Sequence, residues 1–151
     1  MTVPAPLRIF VLNGPNTNLY GLDPTGPYGT LTIEDIAETC RARAEGLGAR
    51  VDFRQSNHEG VLIDWIQEAR TGADGIVINA GSLSYTSIGI ADALSAVAKP
   101  AIQVHVSNVF KRESFRHHSP LSSVVTGCII GLGPSGYPAA VEALIAHIRR
   151  G

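Results

Sequence analysis

The feature that most limits the fold is a regular alternation between two hydrophobic periods along the 151 residues. Leu7 to Leu12 is a short apolar run with β-branched members, as in a strand buried on both faces. Thr32 to Leu47 then follows a helical period. The Thr32 hydroxyl can accept from the free amides of the first turn, Glu34 and Asp35 suit the positive helix end, and Leu47-Gly48 supplies a stop. Arg50 to Gln55 alternates as a second strand. Glu59 to Arg70 reads as a second helix with Leu62, Ile63, Trp65, Ile66 and Ala69 near one face, begun by a cap from Asn57 or Glu59. Gly75 to Asn79 is a third strand, and Thr86 to Ala98 a third helix stopped by Pro100. Ala101 to Val106 and Val124 to Ile130 are the fourth and fifth strands. Gly136 to Arg150 closes the chain as a helix whose basic end complements its dipole.

Strands separated by helices imply parallel pairing through right-handed crossovers. The expected architecture is one α/β domain over residues 1–151, a flavodoxin-like, doubly wound, five-stranded parallel sheet. In such sheets a ligand binds beyond the carboxyl ends of the strands. The segments there are Asn13-Gly14-Pro15-Asn16, Asn79-Ala80-Gly81-Ser82 and His105-Val106-Ser107-Asn108. Three ends this rich in hydrogen-bonding side chains and glycine predict a polar pocket that tolerates an anion.

Composition narrows the partners. With 44% hydrophobic and 17% charged residues and a formal net charge of −1, nothing points to nucleic acid or an anionic membrane surface. No apolar run reaches the ~18–20 residues of a membrane span, and Met1 to Pro6 shows no basic region followed by an apolar run. Cys40 and Cys128 lack metal-ligand spacing and read as core thiols in a reducing, cytoplasmic setting. The fragments themselves leave both bland and chemical readings open. Asn13 to Asn18 can be a plain turn. Tyr20 to Gly29, rich in Gly and Pro, has the form of a lid ending near Tyr28. His105, at the active edge of the sheet, can be a structural or a functional histidine. Arg112, Arg116, His117 and His118 make either a solvated turn or a carboxylate or phosphate clamp. The residues alone indicate a small-molecule enzyme or binding domain with an anionic ligand.

Taken together, the fragments resemble one family. Leu12 to Asn16, Tyr28-Gly29, Arg54 to Gly60, Asn79 to Gly81, Val104 to Asn108 and Phe115 to Ser119 occur in the order and spacing of type II dehydroquinases. The resemblance implies loss of water from 3-dehydroquinate through an enolate to give 3-dehydroshikimate. It implies no metal or cofactor, and commonly a homododecamer built from trimers. By the same resemblance, Tyr28 is the base and His105 the acid, while Asn16 steadies the enolate side through a bound water. Asn79, the Val106 backbone, Ser107 and Arg116 hold the substrate, Arg112 lies close to the base, and Asp92 serves the neighbouring subunit's site.

Three positions depart from the pattern. The lid arginine five residues before the base is Asp23, a carboxylate that would raise the pKa of a nearby phenol. The glutamate two before the histidine is Gln103, whose amide can orient an imidazole but supports its charged form less well. A substrate-contacting histidine is Tyr85. These departures keep three readings in play. The chain is a dehydratase with a rebuilt lid, a related lyase or isomerase acting on another cyclic polyhydroxy ketone, or a catalytically weak binding homologue.

Overall fold

Five strands make one parallel sheet in the order β2-β1-β3-β4-β5: β1 (Leu7–Asn13), β2 (Ala49–Gln55), β3 (Gly75–Asn79), β4 (Ala101–His105) and β5 (Gly127–Ile130). This is the flavodoxin order, whose chain reverses direction across the sheet after β2. The computed structural model describes residues 3–26 and 28–151. Met1 and Thr2 of the N-terminal segment and Pro27 of the expected lid lie outside the described residues.

Side chains alternate across each strand. On β1, Ile9 and Val11 enter one core with Cys40, Val77, Val104 and Leu144. Phe10 and Leu12 enter the other with Leu62, Ile66, Ile78 and Leu94. Helices α1 (Ile33–Gly46) and α5 (Gly136–Arg150) cover the first face. Helices α2 (Glu59–Gly72) and α4 (Ile88–Val97) cover the second. The central strands β1, β3 and β4 are therefore apolar on both sides, which is why they read as unbroken hydrophobic runs.

The start of α1 follows the sequence closely. Thr32 Oγ1 accepts from Asp35 N at 3.2 Å and Asp35 Oδ2 accepts from Thr32 N at 3.0 Å, a reciprocal capping box. Elsewhere the boundaries shift for identifiable reasons. The third helix begins at Ile88, because Ser87 Oγ accepts from Ile90 N at 2.9 Å. Thr86 belongs to a separate short turn, α3 (Leu83–Thr86). The helix ends at Val97, with Ala98 left-handed at φ 55°, before Pro100 acts. The fifth strand starts only at Gly127. Pro120–Ser123 form a 3₁₀ turn, the amides of Val124 and Val125 both bond Leu121 O, and those valines pack on the second core.

Two further expectations fail. Neither Asn57 nor Glu59 caps α2. Its N-cap is His58, whose amide donates to Ser56 Oγ, while Asn57 Oδ1 accepts from Asn16 N at 3.0 Å and Gln55 Nε2 at 3.1 Å. Cys40 is a buried core thiol, but Cys128, on the edge strand β5, is exposed.

Candidate active site

The register brings Asn13, Gln55 and Asn79 to one level at the carboxyl ends of β1, β2 and β3. The loops that leave β1 and β3 touch through their backbones. Gly14 N donates to Asn79 O at 2.8 Å, and a Cβ on Gly14 would lie 2.4 Å from Ala80 O. Gly81 is left-handed at φ 59°, and a Cβ there would lie 2.8 Å from Pro15 O. Glycine is required at both places, for room in the first case and for room and conformation in the second.

Above these loops lies a cavity of about 270 Å³, at the small end of small-molecule clefts. Nine residues singled out in the sequence border it: Asn16, Tyr28, Asn79, Tyr85, His105, Val106, Ser107, Arg112 and Arg116. Pro15, Tyr20, Gly81 and Ser82 complete the lining. Arg112 Nη1 donates to Tyr28 Oη at 3.3 Å and to Ser107 Oγ at 3.2 Å. A cationic side chain thus sits on the oxygen of the expected base. Arg116 extends over the Tyr85 ring, 5.6 Å from its centroid, and its Nε donates to Glu113. Tyr85 stacks on His105 with centroids 5.8 Å apart and planes 19° apart.

Behind His105, a hydrogen-bond chain fixes the imidazole. Ser119 Oγ donates its only proton to Ser84 O at 2.6 Å, so it can act only as an acceptor toward Gln103 at 3.1 Å. That contact therefore belongs to the Gln103 amide NH₂. Ser122 Oγ donates to Gln103 Oε1 at 2.9 Å, which fixes the other side of the amide. The second Gln103 N–H then points at His105 Nε2, 2.7 Å away. His105 Nε2 accepts, and Nδ1 carries the proton of a neutral ring. The pKa agrees in direction. Burial, with Arg116 adding repulsion, holds His105 down at about 4.

A second chain, announced by no local pattern, underlies the cavity on the Tyr28 side. Asn79 Nδ2 donates to Tyr20 Oη at 2.9 Å and to Tyr137 Oη at 2.7 Å, while its Oδ1 accepts from Gly81 N. Tyr137 Oη passes its proton to Asn13 Oδ1 at 2.7 Å, and Asn13 Nδ2 donates to Arg54 O. Tyr20 stacks on Tyr28, centroids 4.7 Å apart, and so carries the ring of the expected base.

The remaining expected residues lie outside the cavity. Gln103 is buried behind His105. Asp23 borders a neighbouring space under the lid, and its Oδ1 accepts from Thr25 N at 3.0 Å and Thr25 Oγ1 at 2.6 Å. The carboxylate is committed to the lid's own turn instead of the phenol. Those hydrogen bonds hold its pKa below the usual carboxylate value. Asp92 is exposed on α4, away from its own cavity.

Comparison with known proteins agrees over almost the whole chain. The dehydroquinase class II family matches residues 7–145. A 3-dehydroquinate dehydratase of a Chelativorans species is 52% identical over 93% of this chain and 97% of its own. A 3-dehydroquinate dehydratase of a Jannaschia species is 47% identical over 96% and 98%. The crystal structure of the type II dehydroquinase from Butyrivibrio crossotus superposes with a TM-score of 0.90 at 41% identity, covering 93% of this chain and 99% of that one. Fold, strand-end geometry and near-full-length similarity converge, and the chain belongs to the class II dehydroquinase family.

Proposed function

We propose that this chain is a hydro-lyase that removes water from 3-dehydroquinate to give 3-dehydroshikimate. The observation that carries the reading is the pairing of Tyr28 with Arg112 in the same cavity as His105. Tyr28, as phenolate, takes the proton from the carbon beside the ketone. The released electron pair forms the enolate. Its collapse restores the ketone, makes the conjugated double bond and breaks the bond to the β-hydroxyl. That hydroxyl takes a proton from His105 and leaves as water. His105 first gains that proton from solvent as the substrate carboxylate offsets Arg116, and the transfer returns it to the neutral ring. One proton is taken and one given, and exchange with solvent resets both residues.

Arg116, with its planar fork, suits the substrate carboxylate and hydroxyls. A carboxylate bound there offsets the repulsion that helps keep His105 neutral. Ser107 Oγ and the Val106 backbone border the same side and position the substrate, with Asn16 on the enolate side. The assembly we infer is a closed homo-oligomer, a dodecamer by family resemblance, in which Asp92 completes a neighbouring site. Its support is Asp92 standing exposed on α4 close to Ile88, an isoleucine with 68% of its surface open. Two free thiols suit the reducing cytoplasm, where we place the chain. Among the described residues no helix is long and apolar enough to cross a membrane.

The test is direct. Purified protein is mixed with 3-dehydroquinate and the conjugated enone product is followed by ultraviolet absorbance. Absence of enzyme-dependent product at millimolar substrate would rule the reading out.

A further inference from the structure

The dehydratase reading uses Tyr28, His105 and the arginines, and leaves one buried group with an unspent proton. Tyr20 is 91% buried, being 9% exposed, yet it borders the cavity. Its hydroxyl accepts from Asn79 Nδ2, and the direction of that bond is fixed at both ends of the chain. At one end Gly81 N needs Asn79 Oδ1 as acceptor, so Nδ2 must face the two tyrosines. At the other end Asn13 Nδ2 is held by Arg54 O, so Asn13 Oδ1 must take the Tyr137 proton. Tyr137 therefore has no proton to give and Asn79 has no acceptor to offer. Asn79 Nδ2 is the donor to Tyr20 Oη, and the Tyr137 hydroxyl lies beside it. The Tyr20 proton can turn to the neighbouring Tyr137 oxygen, which keeps a free lone pair, or into the cavity that Tyr20 borders.

Resting on the dehydratase reading of this site, we infer that Tyr20 is a second tyrosine of the reaction, a neutral hydroxyl that donates a hydrogen bond to the substrate's ketone oxygen as that oxygen becomes the enolate. The base removes a proton from the carbon next to the carbonyl, so negative charge develops two bonds from the carbon that Tyr28 attacks. The stacked ring beside the base borders the same cavity, and its hydroxyl is a fixed donor on that side, together with Asn16. The hydroxyl is also prepared for the task. It already accepts from an amide, which polarises its own O–H. Burial pushes its pKa up to about 12, and charge on Tyr28 pushes in the same direction, so it keeps its proton while Tyr28 is ionised. No proton is transferred. The hydrogen bond strengthens as the oxygen gains charge, which lowers the barrier more than it tightens substrate binding. The two tyrosines divide the work: Tyr28 paired with a cation to lose its proton, Tyr20 paired with an amide to keep it.

The experiment compares wild type, Tyr20→Phe, and 3-fluorotyrosine installed at position 20, on 3-dehydroquinate. Tyr20→Phe is expected to lower kcat by ~10²–10³-fold, the scale of one lost oxyanion donor, with KM changed by less than about threefold. Phenylalanine also strands one Asn79 N–H, so the fluorinated residue is the control. It restores the acceptor for Asn79 and is a more acidic donor, and it is expected to return kcat to wild type or above. A purely structural hydroxyl predicts instead that loss falls on thermal stability and KM. Tyr20→Phe with kcat within about threefold of wild type, a small fraction of the loss expected for an oxyanion donor, overturns the inference alone. A wild type that gives no product overturns the dehydratase reading and this inference with it.

Discussion

The carboxamide nitrogen of Gln103 lies 2.7 Å from Nε2 of His105, and the proton between them belongs to the amide. A carboxylate at this position would reverse that bond and draw a proton onto the imidazole. Gln103→Glu is therefore expected to raise the His105 pKa from about 4 by roughly 1–3 pH units, the usual effect of an adjacent opposite charge. Histidine NMR across a pH titration reads it directly. The change has a structural cost, because Ser119 Oγ must turn from Ser84 O to donate to the new carboxylate. An unmoved His105 titration would show that the amide does not set the imidazole's charge.

His105 also shapes the acid side of stability. Its folded pKa lies at about 4, below the unfolded 6.5, so between those values the unfolded chain binds more protons. Stability is then full above about 6.5 and falls as pH drops toward 4, by roughly 3 kcal/mol for this group alone. His105→Asn is expected to flatten that part of the melting-temperature profile. A variant as steep as wild type between pH 6.5 and 4 would place the acid lability elsewhere.

Tyr28→Phe keeps the ring stacked on Tyr20 and removes the oxygen that Arg112 holds. Turnover is expected to fall by at least ~100-fold with modest change in KM, and His105→Ala to be similarly damaging. An active Tyr28→Phe would refute the base assignment.

Asp23 separates a charge effect from a shape effect. Asp23→Asn keeps an oxygen for Thr25 and removes the charge, whereas Asp23→Ala removes both. Because the carboxylate caps Thr25 N and Oγ1, the asparagine variant is expected to match wild type and the alanine variant to bind substrate several-fold more weakly through a looser lid. Equal gains in kcat from both variants would mean that the charge had been opposing the phenolate.

The same geometry shows where the sequence was readable. The Thr32 cap, the two-faced strands and the three strand-end segments follow local rules, and nine of the twelve expected site residues border one cavity. Misread boundaries fell where two local signals compete. Thr86 and Ser87 are both capping residues, and only Ser87 faces the free amide of Ile90. Val124 and Val125 have strand-forming side chains but are held in a turn that begins at Pro120. Tyr20 and Tyr137 were missed because their role is made by partners 59 and 58 residues away, beyond any periodicity. One signal was available. All four tyrosines, at 20, 28, 85 and 137, gather at the carboxyl edge of the sheet, an unusual concentration for a chain with 6% aromatic residues.

Assembly is open to a simple measurement. If Asp92 serves a neighbour, light scattering at assay concentration should give a closed oligomer. Asp92→Ala should weaken substrate binding without changing that mass. A stable, fully active monomer would remove Asp92 from the site.

The backbone contact between the loops after β1 and β3 has a consequence for how this cavity can vary. Gly14 rests against Ala80, and Gly81 against Pro15, with less clearance than a methyl group needs. The floor of the cavity is thus made of peptide, and its depth is set by how closely two main chains approach. Any side chain at either glycine acts as a wedge. It would pry the ends of β1 and β3 apart, stretch the Gly14–Asn79 bond, and break the line of Asn13, Tyr137, Asn79 and Tyr20 that crosses the same seam. New specificity can therefore enter this site through its walls and lid, at positions such as Tyr85 and Asp23, while the floor stays invariant in shape.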